Sequence, residues 1–319
     1  MVWGVREEYG EDEIRKLLEA GQIAAEARDY GARIVEAGRR ASEVCGEVEK
    51  YIVEHGGRPA FPCNISINEV AAHYTPSIGE DAVIPEGAVV KVDVGVHIDG
   101  YIADTAATVD LSGSHARLLE ASRAALEAVE HVLRPGISLY EIGRVIYSTM
   151  KRHGFKPIRN LYGHTIGRYL VHAGVSIPNY PERAMIVLRL RPPKLFAIEP
   201  FATNGRGHVV ESSKTMIYSY RGRKGRTALG QLEERVLTYI EREYKTLPFT
   251  PRWLRGLASD EEVLMAIRGL VLKGLLESYP VLVEAGRGLV AQFENTYLML
   301  KDKIIVTTRG GEEIEPRKG

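Results

Sequence analysis

Cysteine is nearly absent: Cys45 and Cys63 are the only two among 319 residues. That excludes a disulfide framework and a cysteine-ligated structural zinc site, and it fits a reducing, cytoplasmic setting. No uncharged apolar run approaches the roughly 20 residues that cross a bilayer, so no membrane partner is expected. An excess of either charge is missing too, with 42 Lys+Arg against 42 Asp+Glu. No global field therefore favours nucleic acid or an anionic surface. The first residues, MVWGVREEYGEDE, lack the basic-then-apolar layout of a secretory signal. There is no G-x-S-x-G elbow, no H-E-x-x-H and no Walker A loop, which removes the commonest hydrolase and nucleotide signatures. Gln and Asn are sparse beside Arg and Glu, a weak thermophilic trait. Internal repeats and low-complexity tracts are also lacking.

What is present is the make-up of a soluble globular protein, 45% hydrophobic and 26% charged. The length predicts one large domain with an insertion, or two domains. Apolar spacing predicts a helix from Glu11 to about Ala37, and a second from an N-cap at Ser42 to Gly56-Gly57. Ala60 to Asp81 reads as a strand followed by an irregular loop that carries His73. Ser114 to Leu133 is a helix, and Ser138-Leu-Tyr-Glu141 is a capping box that opens another, closed at Gly154. Arg221 to Arg226, RGRKGR, reads as a solvated hinge rather than a nucleic-acid contact. Leu229 to Thr246 and Ser259 to Lys273 have helical spacing, and the polar tail RGGEEIEPRKG is expected to fray.

The most informative stretch is Val89 to Asp110, VVKVDVGVHIDGYIADTAATVD. Asp99-Gly100 is a strong signal for a tight hairpin turn. With the turn there, Ile98 pairs with Tyr101 and Gly95 with Asp104, and Asp93 becomes a diagonal neighbour of Asp104 on the same face. Two carboxylates on one face of an apolar hairpin are costly unless a positive group sits between them. Three more residues sit awkwardly in apolar or glycine-rich surroundings. His164 lies in NLYGHTIGRYLVHAGV, Glu199 in the short strand AIEPFAT, and Glu294 in GLVAQFENTYLMLK. Four carboxylates and one imidazole suit two adjacent divalent ions such as Mn, Co, Fe or Zn in an open catalytic site. Such a site would bring a bridging water towards a pKa of about 7 for a hydrolysis. A Cys63–His73 nucleophile pair is a poorer alternative, because Cys63 has no supporting context.

KVDVGVHIDGYIADTA, GHTIGRYLVHAG, FAIEPFAT and GLVAQFENT, in this order, resemble the metal-binding segments of methionine aminopeptidases, and AFPCNISINEVAAHYTP resembles the strand and loop before them. The resemblance covers nearly the whole chain from about Glu11. The helical block between Glu199 and Glu294 resembles the type 2 enzymes, and the short N-terminal part resembles the archaeal ones.

The resemblance implies an α/β (α+β) pita-bread fold: a pseudo-twofold, curved antiparallel sheet with helices outside. The expected catalytic domain is 1–221 with 286–319, and 222–285 is an inserted helical subdomain. The resemblance further implies that Asp93 binds one metal, Asp104 and Glu294 bridge two, and His164 and Glu199 complete the second. Glu199 would be general base and His172 would stabilise the tetrahedral intermediate. His73 would bond the substrate carbonyl or the leaving amine. Phe61, Leu161, Val171, Ile217 and Tyr279 would line the methionine pocket. Ile217 and Tyr162 depart from the animal type 2 pattern, which has histidine and asparagine there.

The implied activity is removal of initiator methionine from nascent chains with a small second residue, by a monomer in transient contact with ribosomes. The alternatives are a proline-directed aminopeptidase or prolidase of the same fold, and an inactive pita-bread binding protein. The remaining histidines, His55, His97, His115, His131, His153 and His208, receive no role.

Overall fold

The computed structural model describes residues 8–222 and 227–314. Two helix pairs clothe a set of antiparallel sheets. Helices α1 (Glu11–Ile34) and α2 (Ala41–Glu54) come first, and α3 (Ala116–Glu130) and α4 (Leu139–Arg152) follow the central hairpin. That hairpin is as the turn chemistry predicts: Val89–Ile98 pairs with Tyr101–Asp110, with Ile98 opposite Tyr101 and Gly95 opposite Asp104. Alternation along the first strand then sorts its side chains. Val90, Val92, Val94 and Val96 enter one core with Ala24, Ala27, Val44 and Val48 of α1 and α2, which leaves Asp93 and Gly95 on the other face. The second half repeats the plan. Leu126, Val129, Ile142 and Ile146 of α3 and α4 cover Phe196, Ile198, Tyr297 and Met299.

Several local expectations are corrected. The first helix ends at Ile34, with Val35 as its C-cap. Arg40, not Ser42, caps α2, because the Ser42 N–H and hydroxyl both bond Asp81 across the loop, at 3.0 and 2.7 Å. The irregular loop expected after Asn64–Ile67 contains a short strand, Val70–Ala72, paired with Leu276–Glu284. Ser114 lies ahead of α3, in a turn where its N–H bonds Ser112. Of the tail expected to fray, Glu312–Ile314 pairs with Ile304–Val306, and 315–319 lie outside the described residues. Most of the basic run also lies outside them, although Arg221 pairs with Glu277 at 3.4 Å.

The larger correction concerns the two acidic strand segments. AIEPFAT is not one strand. Lys194–Ile198 belongs to a six-stranded sheet and Phe201–Thr203 to a separate three-stranded one. The chain changes sheet at Glu199-Pro200, where Pro200 has no N–H to continue a ladder. GLVAQFENTYLMLK breaks in the same way into Val290–Gln292 and Asn295–Met299. These pieces pair with Phe201–Thr203 and Lys194–Ile198 respectively. Glu199 and Glu294 therefore sit side by side at a double crossing.

Between Val209–Tyr220 and Leu276–Glu284, which pair with each other, the chain forms α5 (Gln231–Glu243) and α6 (Asp260–Leu272). Ser259 opens α6 with the expected capping box. These helices have their own core, built on Val236, Ile240, Phe249, Ile267 and Leu270. One carboxylate ties this block to the first half. Glu49 of α2 accepts from Arg252 Nη1 at 2.7 Å, from Trp253 Nε1 at 2.9 Å and from the Cys63 N–H at 3.1 Å. Replacing it strands a shielded guanidinium and two N–H groups. Glu49→Ala is expected to lower unfolding free energy by about 3 kcal/mol in chemical denaturation, and an unchanged midpoint would contradict this account.

Candidate active site

The residues singled out from the sequence line one cavity of about 360 Å³: Asp93, Asp104, His164, Glu199 and Glu294, with His73 and His172, and with Phe61, Leu161, Val171, Ile217 and Tyr279. That size is ordinary for a small-ligand site. The five side chains arrive by three routes. Asp93 and Asp104 come from the central hairpin, and His164 from the strand Tyr162–Thr165, opposite Ala197. Glu199 and Glu294 come from the two crossings.

Backbone bonds close the seam between the halves. The Glu294 N–H donates to Ala106 O at 3.1 Å, and Thr105 Oγ1 donates to Glu294 O at 2.7 Å. Thr296 Oγ1 accepts from the Asp104 N–H and donates to Asp104 O, both at 2.8 Å. Gly95, opposite Asp104, must be glycine, because a Cβ there would overlap the Phe61 ring.

The electrostatics suit a cation. Ligand atoms of Asp104, His164 and Glu294 all lie within 4.8 Å of one another. His164 Nε2 is 3.5 Å from Asp104 and 3.6 Å from Glu199. Asp93 Oδ1, Asp104 Oδ1 and Glu294 Oε1 are buried with no hydrogen-bond partner. Burial pushes the Asp104 carboxyl up to about 8. Burial, and then the charges of neighbouring carboxylates, hold Asp93, Glu199 and Glu294 well above their ordinary range. Burial also drives His164 down to about 4, so its imidazole is neutral and able to ligate. Crowded, unpaired carboxylates beside a neutral imidazole fit divalent metal ions and little else.

Around the acids stand two further histidines, both held below their ordinary range by burial. His172 packs edge-on against His164, ring centres 4.4 Å apart. His73 has a positive φ of 65°, a conformation uncommon outside glycine and enriched at working sites. Its Nδ1 lies 3.1 Å from Pro280 O. A carbonyl only accepts, so Nδ1 carries the proton and Nε2 keeps a lone pair.

The Cys63–His73 pair is not formed. Cys63 is buried away from this cavity, and Cys45 Sγ donates to its carbonyl at 3.1 Å. The Cys45 thiol and burial hold the Cys63 thiol well above its ordinary range. His97 is also buried, where its Nδ1 accepts the Gly100 N–H at 3.1 Å and closes the hairpin turn.

The sequence reading missed the groups that hold the acids. Gln292 Nε2 donates to Glu294 at 3.0 Å and reaches Glu199 at 3.4 Å. Asn179 Nδ2 donates to Glu199 O at 3.2 Å. An amide inside the apolar run GLVAQFENT, two residues before Glu294, was the available signal for Gln292. Asn179 had none.

A family model for metallopeptidase family M24 matches residues 15–299. The chain belongs to metallopeptidase family M24. Within the family it is 47% identical over 300 residues to a protein named methionine aminopeptidase from Saccharolobus solfataricus, an alignment that covers 94% of this chain and 99% of that one. Its fold is that of a thermophilic Arx1 structure, with a TM-score of 0.83 at 15% identity over 94% of this chain and 91% of the other. A methionine aminopeptidase structure from Rickettsia prowazekii matches with a TM-score of 0.68 at 23% identity, over 95% of this chain and all of that one. The α/β pita-bread fold of this M24 protein is therefore the one the motifs implied. Among the described residues, no helix is long and apolar enough to cross a membrane.

Proposed function

We propose that this M24 enzyme removes the N-terminal methionine from polypeptides with a small second residue. The observation that carries this reading is the cluster of buried carboxylates around a neutral His164, with an oxygen of each of Asp93, Asp104 and Glu294 left without a hydrogen-bond partner, in a cavity with an apolar wall. The near full-length identity to a methionine aminopeptidase favours it over the proline-directed alternative. The inactive-binder alternative is disfavoured because all five ligating side chains are present and face one space.

Asp93, Asp104, His164, Glu199 and Glu294 would hold two divalent ions (Mn, Co, Fe or Zn). Bound there, the ions would supply positive charge that acidifies a water and polarises the scissile carbonyl. Glu199 would take a proton from the attacking water and pass it to the leaving amine, with Gln292 beside its carboxylate and Asn179 holding its backbone carbonyl. His73 presents a lone pair on Nε2, which supports contact with the scissile N–H and leaving amine rather than with the substrate carbonyl. His172 would face the developing oxyanion. Phe61, Leu161, Val171, Ile217 and Tyr279 would enclose the methionine side chain. Pro248, from the block at 222–285 that we assign as the inserted subdomain, lines the same cavity and would narrow the space for the second residue. Action in the cytoplasm, as a monomer in transient contact with ribosomes, belongs to the same proposal.

The test is release of methionine from Met-Ala-Ser by metal-stripped protein reloaded with Mn or Co. Release should require metal and should fall at least about a hundredfold for Met-Leu-Ser, because a bulky second side chain collides with the narrowed cleft. No release from a folded, reloaded protein would sink the reading.

A further inference from the structure

Asn64 is 3% exposed, and its side chain lines the cavity. Its two polar ends have different fates. Nδ2 donates to Pro62 O at 3.1 Å, which fixes the orientation of the amide, since a carbonyl cannot donate. Oδ1 is buried and has no partner. A buried amide oxygen left unpaired carries a desolvation penalty, so on a side chain that lines a cavity it is a place for a ligand's donor. Among the described residues and outside the five ligating side chains, the other unpaired buried atoms, Ser66 Oγ, Tyr74 Oη, Asn179 Oδ1 and Glu182 Oε1, belong to residues that do not line the cavity.

The position of Asn64 narrows the choice of donor. It is the direct cross-strand partner of Asp93, so the two side chains stand side by side on one face of the sheet. Three residues earlier, Phe61 covers Gly95 on the same face and begins the apolar wall. Asn64 thus lies between the acid cluster and the wall for the first side chain. In a peptide docked with its first side chain on that wall, the group between is the α-carbon with its amine. The methionine thioether has no donor, and the scissile N–H is taken by His73 in the reading above.

We propose that Asn64 is a specificity-determining residue whose side-chain oxygen accepts a hydrogen bond from the free α-amino group of the substrate's first residue. This rests on the aminopeptidase reading.

The test compares two competitive ligands, L-methioninol and its analogue lacking the amino group, on the metal-loaded protein. The quantity read is the ratio of their inhibition constants. Asn64→Leu and Asn64→Ala, both checked for folding by thermal melt, should lower the preference for the amine-bearing ligand about tenfold, the worth of one hydrogen bond to a charged or strongly polar partner. Asn64→Asp keeps an acceptor at the same place and should hold the preference at or above the wild-type value. It also serves as the deciding variant if neither apolar one folds. A preference that changes less than about threefold in the apolar variants, whether both ligands weaken together or neither does, overturns the proposal. So does loss of the preference in Asn64→Asp. Wild-type release from Met-Ala-Ser, measured alongside, reports on the aminopeptidase reading separately. Its absence overturns the activity, whereas normal release with an unmoved ratio overturns only the role of Asn64.

Discussion

Glu199→Gln is expected to lower kcat for methionine release by about a thousandfold, roughly 4 kcal/mol of barrier, while the protein stays folded. Glutamine matches glutamate in volume, so the double crossing should survive. The amide has no basic oxygen able to take a proton from water, and it offers a weaker ligand to a cation. The effect on stability should run the other way. In the metal-free protein, Glu199 is a desolvated acid crowded by Asp104 and Asp93, and neutralising it removes that strain. The variant stripped of metal should therefore melt no lower than the wild type stripped of metal. Steady-state kinetics at saturating metal and a melt of each apo protein test both halves. Activity within tenfold of wild type would remove Glu199 from the proton path. A large drop in the melting temperature would show that its role is structural.

Metal removal is expected to make stability pH-dependent with a defined sign. The unfolded chain titrates its carboxyls near pH 4. In the folded, metal-free protein, burial moves Asp104 to about 8 and holds Asp93, Glu199 and Glu294 well above the ordinary range. Between those values the folded state binds more protons than the unfolded state, so stability falls as pH rises. The apo protein should accordingly be most stable near pH 5 and progressively less so towards pH 8. Binding of a divalent ion reverses this, since it favours the ionised carboxylates and releases their protons. At pH 8 a thousandfold excess over Kd would contribute about 4 kcal/mol, a rise in Tm on the order of 8 °C. Near pH 5 the rise should be much smaller. Scanning calorimetry of apo and loaded protein at three pH values reads the trend, and titration in buffers of different ionisation enthalpy reads the proton release. An apo protein that gains stability from pH 5 to 8 would contradict the crowded-acid account.

These two results depend on features of different legibility. The hairpin register was readable because Asp99-Gly100 specifies its own turn and a period of two does the rest. Asp93 and Asp104 could therefore be set near each other without any tertiary knowledge. Helix cores were readable for the same local reason, while their ends were less so. Ser42 looks like a cap until Asp81, 39 residues away, claims both of its groups. Glu199 and Glu294 were identifiable as acids out of place, but each lay in what reads as one unbroken strand. Only pairing with two different sheets splits those segments and brings the two carboxylates together.

Taken alone, then, the sequence singled out acids and histidines that turn out to line one cavity, and the metal chemistry proposed for them. Acids in apolar runs are energetically conspicuous wherever the chain takes them, and the family motifs name their order. The tertiary structure decided how they are held and what else faces the same space. The contacts of Gln292 and Asn179 are with partners that are strands apart, and Asn64 faces a cavity that exists only after folding. A buried amide in a sequence looks like any other polar residue. Its free oxygen becomes informative only once every nearby donor is accounted for.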